Sequence, residues 1–287
     1  MYRDSVVVAD SSTGDDLWWK KVPDVGSSPH YVTSGDGQTL YGRGDGAGFA
    51  VAWDGKSEIR NIPGFLAAGY DGRRFALLDD RAVHIRASAS DADQATLPPS
   101  FVPEEAVFVD HDRALALADN SSRKGPSAVV EIATGKVLYS IPPIAFLSAS
   151  PSGGCLAIRS EQLEILDAAT GDRRGPFEVG FRVLALDDEC RNVVTLESLD
   201  FLSSSILVHD VRSGASRFTA PGDFASSFRA AALPPNGREV VIADGIGIER
   251  FPLLSRDELI AEALRRVGSK FDTECQKYLE RPCPAGQ

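Results

Sequence analysis

Two kinds of turn alternate along this chain, and their joint recurrence leaves room for few folds. The first is a tight turn that leads into an apolar strand. It occurs as Asp36-Gly37-Gln38-Thr39-Leu40-Tyr41, Asp71-Gly72-Arg73-Arg74-Phe75-Ala76, His111-Asp112-Arg113-Ala114-Leu115-Ala116, Ser152-Gly153-Gly154-Cys155-Leu156-Ala157, a degraded Glu189-Cys190-Arg191-Asn192-Val193-Val194, and Asn236-Gly237-Arg238-Glu239-Val240-Val241. The second positions of these turns, 37, 72, 112, 153, 190 and 237, are 35, 40, 41, 37 and 47 residues apart. The second turn follows some twenty residues later, where an apolar strand ends in an acid and then in Thr-Gly or Ser-Gly: Glu131 to Gly135, Asp167 to Gly171, and Asp210 to Gly214, with Trp53-Asp54-Gly55 as a shortened form. Gly supplies the positive φ that a tight hairpin needs, and Asp or Ser accepts the local backbone hydrogen bond.

Between the turns lie strands of about five residues, such as Phe49 to Trp53, Ser127 to Ile132 and Ile206 to His209. Strand, turn, strand, turn and strand, repeated about every 40 residues, is the antiparallel blade of a β-propeller. A sandwich does not repeat both of its turns in phase six times, and a parallel helix has a shorter period. The expected fold is therefore all-β, a single propeller of four-stranded antiparallel blades over residues 1–254, followed by a short helical tail over 255–287. Six blades account for nearly all of the chain; seven, the alternative, would need more chain upstream. Closure of the ring is expected from the strand near 17–22, which contains Trp18 and Trp19, and leaves Ser5 to Ala9 as a surplus strand.

The composition fits a protein with a sizeable core: 43% hydrophobic and 25% charged in 287 residues. A formal net charge of -11 repels phosphate backbones and anionic lipid at long range, so nucleic acid and membrane surfaces are not expected partners. No stretch reaches the roughly 18 apolar residues of a membrane helix, and the apolar run at the start is too short for a secretory signal, so a cytoplasmic location is expected. Of the four cysteines, Cys155 and Cys190 sit in apolar strand contexts and read as core residues. Cys275 and Cys283, eight apart, read either as a local disulfide or as free thiols. None has the paired spacing of a zinc site.

The pattern resembles the WD-repeat family, with a literal Trp53-Asp54 where that family closes its third strand. The resemblance covers roughly residues 5 to 253. It is degenerate, because the family's Gly-His pair is missing from every blade and the four histidines, His30, His84, His111 and His209, cannot build its buried polar network. Cohesion between blades is then expected to rest on apolar packing.

After Leu254 the apolar period becomes helical. Ser255-Arg256-Asp257-Glu258 is a capping box, Leu259, Ile260, Ala263, Leu264 and Val267 form one stripe, and Gly268 stops the helix. The tail, through Leu259-Ile260-Ala261, Arg265-Arg266-Val267-Gly268, Phe271, Thr273-Glu274-Cys275, Tyr278-Leu279 and Pro282-Cys283-Pro284, resembles the ending of bacterial proteins that carry a STAND-type NTPase, a protease, a TIR domain or a kinase first and a WD-repeat-like propeller last. That resemblance implies a sensor or regulatory domain of a signalling or defence protein, with an upstream effector or another protein as its partner.

No catalytic, cofactor-binding or metal-binding residue is assigned. Asp110-His111-Asp112 and Asp187-Asp188-Glu189 fall on hairpin tips and read as solvated turns; neither has the alternating oxygen ligands of a calcium loop. Gly42 to Gly48 resembles a dinucleotide fingerprint but joins two strands and opens no helix. The residues assigned to partner binding are Trp18 and Trp19, whose side chains must face opposite sides of a strand, together with Arg123 and Lys124 in one long loop and Phe201 and Leu202 in another. The expected function is non-catalytic protein interaction or ligand sensing. The alternative is a propeller lyase or hydrolase with its site at the central channel.

Overall fold

The computed structural model describes residues 5–9, 16–23, 30–34, 38–44, 47–98, 100–119, 125–144, 146–177, 182–198, 204–220, 230–234, 238–243, 248–254, 257, 258 and 261. Strands β1 (Ser5–Ala9) and β2 (Asp16–Lys21) make a hairpin. Blade 1 is β3 (His30–Thr33), β4 (Thr39–Gly44), β5 (Ala47–Ala52) and β6 (Arg60–Asn61). Blade 2 is β7 (Phe65–Ala68), β8 (Arg74–Asp79), β9 (Ala82–Ala87) and β10 (Asp93–Leu97). Blade 3 is β11 (Glu105–Val109), β12 (Ala114–Ala118), β13 (Ser127–Glu131) and β14 (Val137–Ile141). Blade 4 is β15 (Phe146–Ala149), β16 (Cys155–Arg159), β17 (Leu163–Asp167) and β18 (Arg173–Phe177). Blade 5 is β19 (Arg182–Leu186), β20 (Asn192–Ser198), β21 (Ser204–Asp210) and β22 (Ser216–Thr219). Blade 6 shows three strands, β23 (Ala230–Ala232), β24 (Glu239–Ala243) and β25 (Ile248–Pro252).

Every blade is a meander in chain order, and the first strands of successive blades neighbour one another, which places them innermost. This is the six-bladed propeller expected from the repeat. Its middle strands are the most buried: all of β12 is inaccessible, whereas β18, a fourth strand, is exposed at four of its five residues. Apolar packing joins the blades, as the missing Gly-His pairs lead one to expect, and hydrogen bonds between their first turns also cross the junctions. Five apolar clusters lie between two neighbouring blades, for example Phe108, Leu115 and Ile132 of blade 3 or its second turn with Leu66, Ile85 and Leu97 of blade 2, and a sixth joins blade 1 to the β1–β2 hairpin.

The two turns do what their residues dictate. Gly72, Asp112, Gly153 and Cys190, the second positions of four first turns, all have positive φ, so even the degraded repeats keep the backbone conformation. In the second turns Gly55, Gly135, Gly171 and Gly214 have φ between 65° and 77°. The preceding acids cap them: Asp54 accepts Lys56 N–H at 2.9 Å, Asp167 accepts Thr170 N–H at 3.0 Å, and Asp210 accepts Ser213 N–H at 2.8 Å.

A second recurrence, invisible in the turns themselves, links the blades. The fourth strands of blades 2, 3 and 4 each send a large side chain onto the second turn of the next blade. Tyr139 lies on Gly171 and donates its phenol to the Ala168 carbonyl at 2.8 Å. Phe177 lies on Gly214, and Leu97 approaches Gly135. Trp18 of β2 makes the same contact with blade 1: its ring lies against Gly55, and its Nε1 donates to the Trp53 carbonyl at 3.0 Å. Strand β2 thus occupies the place of a fourth strand ahead of blade 1. Its hydrogen-bonded partner is β1, through pairs such as Val7↔Trp19 and Val8↔Trp18, and among the described residues it forms no ladder with β25.

Two readings of the sequence need correction. Cys155 and Cys190 are core residues, but they are joined in a disulfide between blades 4 and 5, with a Cα–Cα distance of 5.6 Å. The acidic hairpin tips are not uniformly solvated: Asp112 and Asp187 are buried because their carboxylates satisfy backbone N–H groups. Of the expected tail helix, Asp257, Glu258 and Ala261 are helical; Cys275, Cys283 and the whole of the apolar stripe lie outside the described residues.

Candidate interaction site

Strict alternation along β2 divides its side chains between two environments. Trp18 points toward blade 1 and makes an edge-on contact with Trp53, ring centroids 6.4 Å apart. Lys20, on the same side, donates to the Ser57 carbonyl. Leu17 and Trp19 point the other way and are 60% and 66% exposed, the most exposed large apolar residues of the described chain apart from Ile248 at 63%. One tryptophan therefore clamps the hairpin while its neighbour is presented to solvent from a rigid strand. Arg123, Lys124, Phe201 and Leu202 lie outside the described residues.

The polar clusters resolve into structural roles. Asp112, at the first turn of blade 3, accepts Tyr70 N–H at 2.7 Å and Asp71 N–H at 3.0 Å from the first turn of blade 2. Burial pushes its carboxyl above the usual range, outweighing those two hydrogen bonds. Asp188 of blade 5 accepts the Ser152 N–H and hydroxyl of blade 4, each at 2.6 Å. Asp187 caps its own turn through Arg191 N–H at 2.7 Å and the Asn192 side chain at 2.6 Å. These carboxylates are held by protein donors and are not arranged about a shared point. Among the described residues no three His, Cys, Asp or Glu side chains gather as metal ligands.

The innermost strands are mainly apolar or small: Phe65-Leu66-Ala67-Ala68 in β7 and Leu147-Ser148-Ala149 in β15. Among the described side chains of these strands the titratable group is Glu105 of β11; β3 and β19 also carry His30, Tyr31 and Arg182. Glu105 faces Arg43, whose guanidinium donates to the Leu66 carbonyl at 3.1 Å and whose pKa is lowered by burial against the opposing pull of Glu105 and Glu104. The remaining buried titratable side chain of note is His209 on β21. Its Nε2 lies 3.0 Å from Thr195 Oγ1 and 3.3 Å from a Glu197 carboxylate oxygen, and burial lowers its pKa.

No family model matches the sequence, and no curated protein matches it. Among solved structures the fold is similar to a chain of the mitotic checkpoint complex, with a TM-score of 0.62 at 15% identity over 88% of this chain and 82% of that one. It is also similar to the hydrazine synthase of Kuenenia stuttgartiensis, with a TM-score of 0.56 at 12% identity over 78% of this chain and 76% of that one. No helix among the described residues is long and apolar enough to cross a membrane. At these identities the likeness shows the fold: the chain is a six-bladed β-propeller of the architecture that the WD-repeat resemblance implied.

Proposed function

We propose that this propeller is a non-catalytic interaction domain that binds a protein partner through the outward face of β2. The observation that carries the reading is the pairing of Trp18 and Trp19. The first anchors the hairpin to blade 1, so the second stands exposed beside Leu17 at little conformational cost, and a rigid exposed aromatic is the kind of residue on which interface energy concentrates. The mainly apolar innermost strands and the structural use of the buried carboxylates support a role without chemistry. Membership of a multiprotein assembly by a chain of similar fold, that of the mitotic checkpoint complex, points the same way.

In its finer form the proposal makes this domain the sensor or regulatory end of a larger bacterial signalling or defence protein, with an upstream effector. That part is supported by the tail residues between Leu259 and Pro284 alone. A cytoplasmic location, expected from the sequence, has the Cys155–Cys190 disulfide against it, since such bonds persist mainly in oxidising compartments.

The test is affinity capture from the source cells with the wild-type chain and with Trp19→Ser and Leu17→Ser, followed by identification of what each retains. Partners retained by the wild type and lost from both variants, whose melting temperatures stay at the wild-type value, are the expected result. An identical set from all three would remove the hairpin from the function, and robust turnover of a substrate by the isolated domain would overturn the non-catalytic reading.

A further inference from the structure

The junctions between blades repeat one arrangement, and one junction leaves its charges unanswered. Between blades 1 and 2, Arg60 on fourth strand β6 reaches the second turn of the next blade. There it donates to the Ser88 carbonyl at 2.8 Å, pairs with Asp91 at 2.8 Å and lies 4.8 Å over the Phe75 ring. Arg86 at the same place pairs with Asp93 at 2.8 Å. The cleft that remains is about 250 Å³, and acids answer its arginines.

The equivalent place between blades 4 and 5, where β18 meets the turn from β21 to β22, holds a larger cavity of about 640 Å³. Arg174, Gly175, Phe177, Arg212, Ser213 and Gly214 contribute to its lining, and no carboxylate among the described residues does. Arg174 spends one donor on the Cys190 carbonyl, at 3.1 Å, next to the disulfide that ties the two blades together. The Arg212 guanidinium has no hydrogen-bond or ion-pair partner among the described residues, while its backbone N–H bonds to the Asp210 carboxylate. The neighbouring arginines do not share this condition, since Arg173 pairs with Glu164 at 3.2 Å and Arg191 with Glu189 at 2.7 Å. In a chain of net charge -11, two guanidinium groups with no carboxylate among the described residues that line their cavity make a local site for an anion.

The shape limits which anion. A volume within the roughly 300–1,000 Å³ range of small-molecule pockets is too large for a bare inorganic ion to fill. Guanidinium forks match carboxylate and phosphate oxygens in pairs. Phe177, its ring held against Gly175 and Gly214, is half-buried and offers ring surface beside those forks.

We propose that this cavity binds a small oxyanion, a carboxylate or a phosphate monoester, borne on a flat apolar group, with the oxyanion held by Arg174 and Arg212 and the apolar group against Phe177. The site lies on blades 4 and 5 and does not depend on the β2 face being an interface.

The experiment is calorimetric titration of the full chain at low ionic strength with phenyl phosphate, phenylacetate and the neutral benzamide. At least one of the two anions is expected to saturate a single site, with benzamide much weaker, and the order of the two anions tells a phosphate from a carboxylate ligand. Arg212→Gln is expected to weaken the better anion by about tenfold or more, as loss of a charge-assisted bond requires. Arg212 is an exposed turn residue, so the variant's thermal midpoint serves as its folding control, and Arg174→Gln provides a second reading of the same loss. Absence of saturation by both anions, benzamide binding as tightly as they do, or unchanged affinity in both variants would each overturn the proposal.

Discussion

The Asp112 carboxylate accepts the backbone N–H of Tyr70 at 2.7 Å and that of Asp71 at 3.0 Å, so the first turn of one blade caps the first turn of the blade before it. The arrangement recurs at the next junction but one, where Asp188 accepts from Ser152. Between them, at the blade 3 to blade 4 junction, backbone does the same work: Asp110 N–H donates to the Gly153 carbonyl at 2.7 Å and His111 N–H to the Ser152 carbonyl at 3.2 Å. A belt of turn-to-turn hydrogen bonds therefore joins blades 2 to 5. Asp112→Ala leaves two donors without an acceptor, and each such loss costs about 1–3 kcal/mol. The expected fall in unfolding free energy is about 2–4 kcal/mol, read from urea denaturation, and a change under 0.5 kcal/mol, the usual limit for an ordinary surface substitution, would remove the belt as a source of stability.

The same residue carries a pH signature of unusual sign. Burial raises the Asp112 carboxyl above its ordinary 3.8. Between that value and the raised one, the folded state holds a proton that the unfolded state has released, so stability falls as pH rises through this window. Asp54, Asp93 and Asp210 act oppositely: Asp93, beside Arg86, is held below its ordinary value. The difference in stability between wild type and Asp112→Asn, followed by urea midpoints from about pH 3 to pH 6, is expected to shift against the wild type as pH rises. A flat difference across that range would assign the carboxyl no net desolvation.

Tyr139 and Gly171 test the blade-to-blade contact that repeats along the ring. A Cβ at Gly171 would stand 3.1 Å from the Tyr139 ring, and the residue has φ +77°. Gly171→Ala is expected to cost about 1–2 kcal/mol from the left-handed backbone alone, with ring displacement added. Tyr139→Phe keeps the packing and removes the bond to the Ala168 carbonyl, for an expected loss of about 0.5–1.5 kcal/mol. If the contact is one unit, the double variant loses less than the sum, and strict additivity in a double-mutant cycle counts against it.

How much of this was legible differs residue by residue. Positions 72, 112, 153 and 190 share a left-handed backbone, and the sequence aligned them although only two are glycine, because the flanking pattern of turn and apolar strand survives substitution. The function of the Asp112 side chain was not legible, since its partners lie 41 and 42 residues away and are backbone groups that leave no mark on residue type. The Cys155–Cys190 bond had a signal that went unread. The two cysteines are 35 residues apart, within the spread of one repeat, so the fold brings them to neighbouring blades. Of the interaction residues, alternation divided Trp18 from Trp19 correctly, but only the structure shows which one faces blade 1. The cavity at Arg174 and Arg212 was not visible at all, because among the described residues its lining lacks the acid that its sister junction has.

The disulfide closes a loop of 35 residues. On the chain-entropy model a loop of that size lowers the entropy of the unfolded chain by an amount worth about 4 kcal/mol, with engineered and natural cases often delivering less. Cys155→Ser with Cys190→Ser is expected to lower stability by about 2–4 kcal/mol, and reductant is expected to lower the melting temperature of the wild type while leaving the double variant unchanged. Free-thiol labelling of the unfolded, unreduced protein checks the bond itself: labelling at both Cys155 and Cys190 in chain purified under oxidising conditions is the contrary result.

His209 gives the chain a weakness on the acid side of neutrality. The imidazole is buried on β21, 3.0 Å from the Thr195 hydroxyl oxygen, and burial lowers its pKa from the ordinary 6.5 in spite of Glu197 at 3.3 Å, which acts in the other direction. Below 6.5 the unfolded chain takes up a proton that the folded chain refuses until its lower pKa is reached. The unfolded state then binds more protons, so stability is greatest above 6.5 and declines as pH falls through that window. The lowered carboxylates, Asp54, Asp93 and Asp210, also cost stability on acidification, but only near and below their ordinary 3.8, a separate range. Urea midpoints between about pH 8 and pH 5 are therefore expected to fall in the wild type, and to fall less in His209→Gln, even though that variant starts from a lower midpoint at neutral pH. Equal slopes in the two proteins would place the acid sensitivity elsewhere.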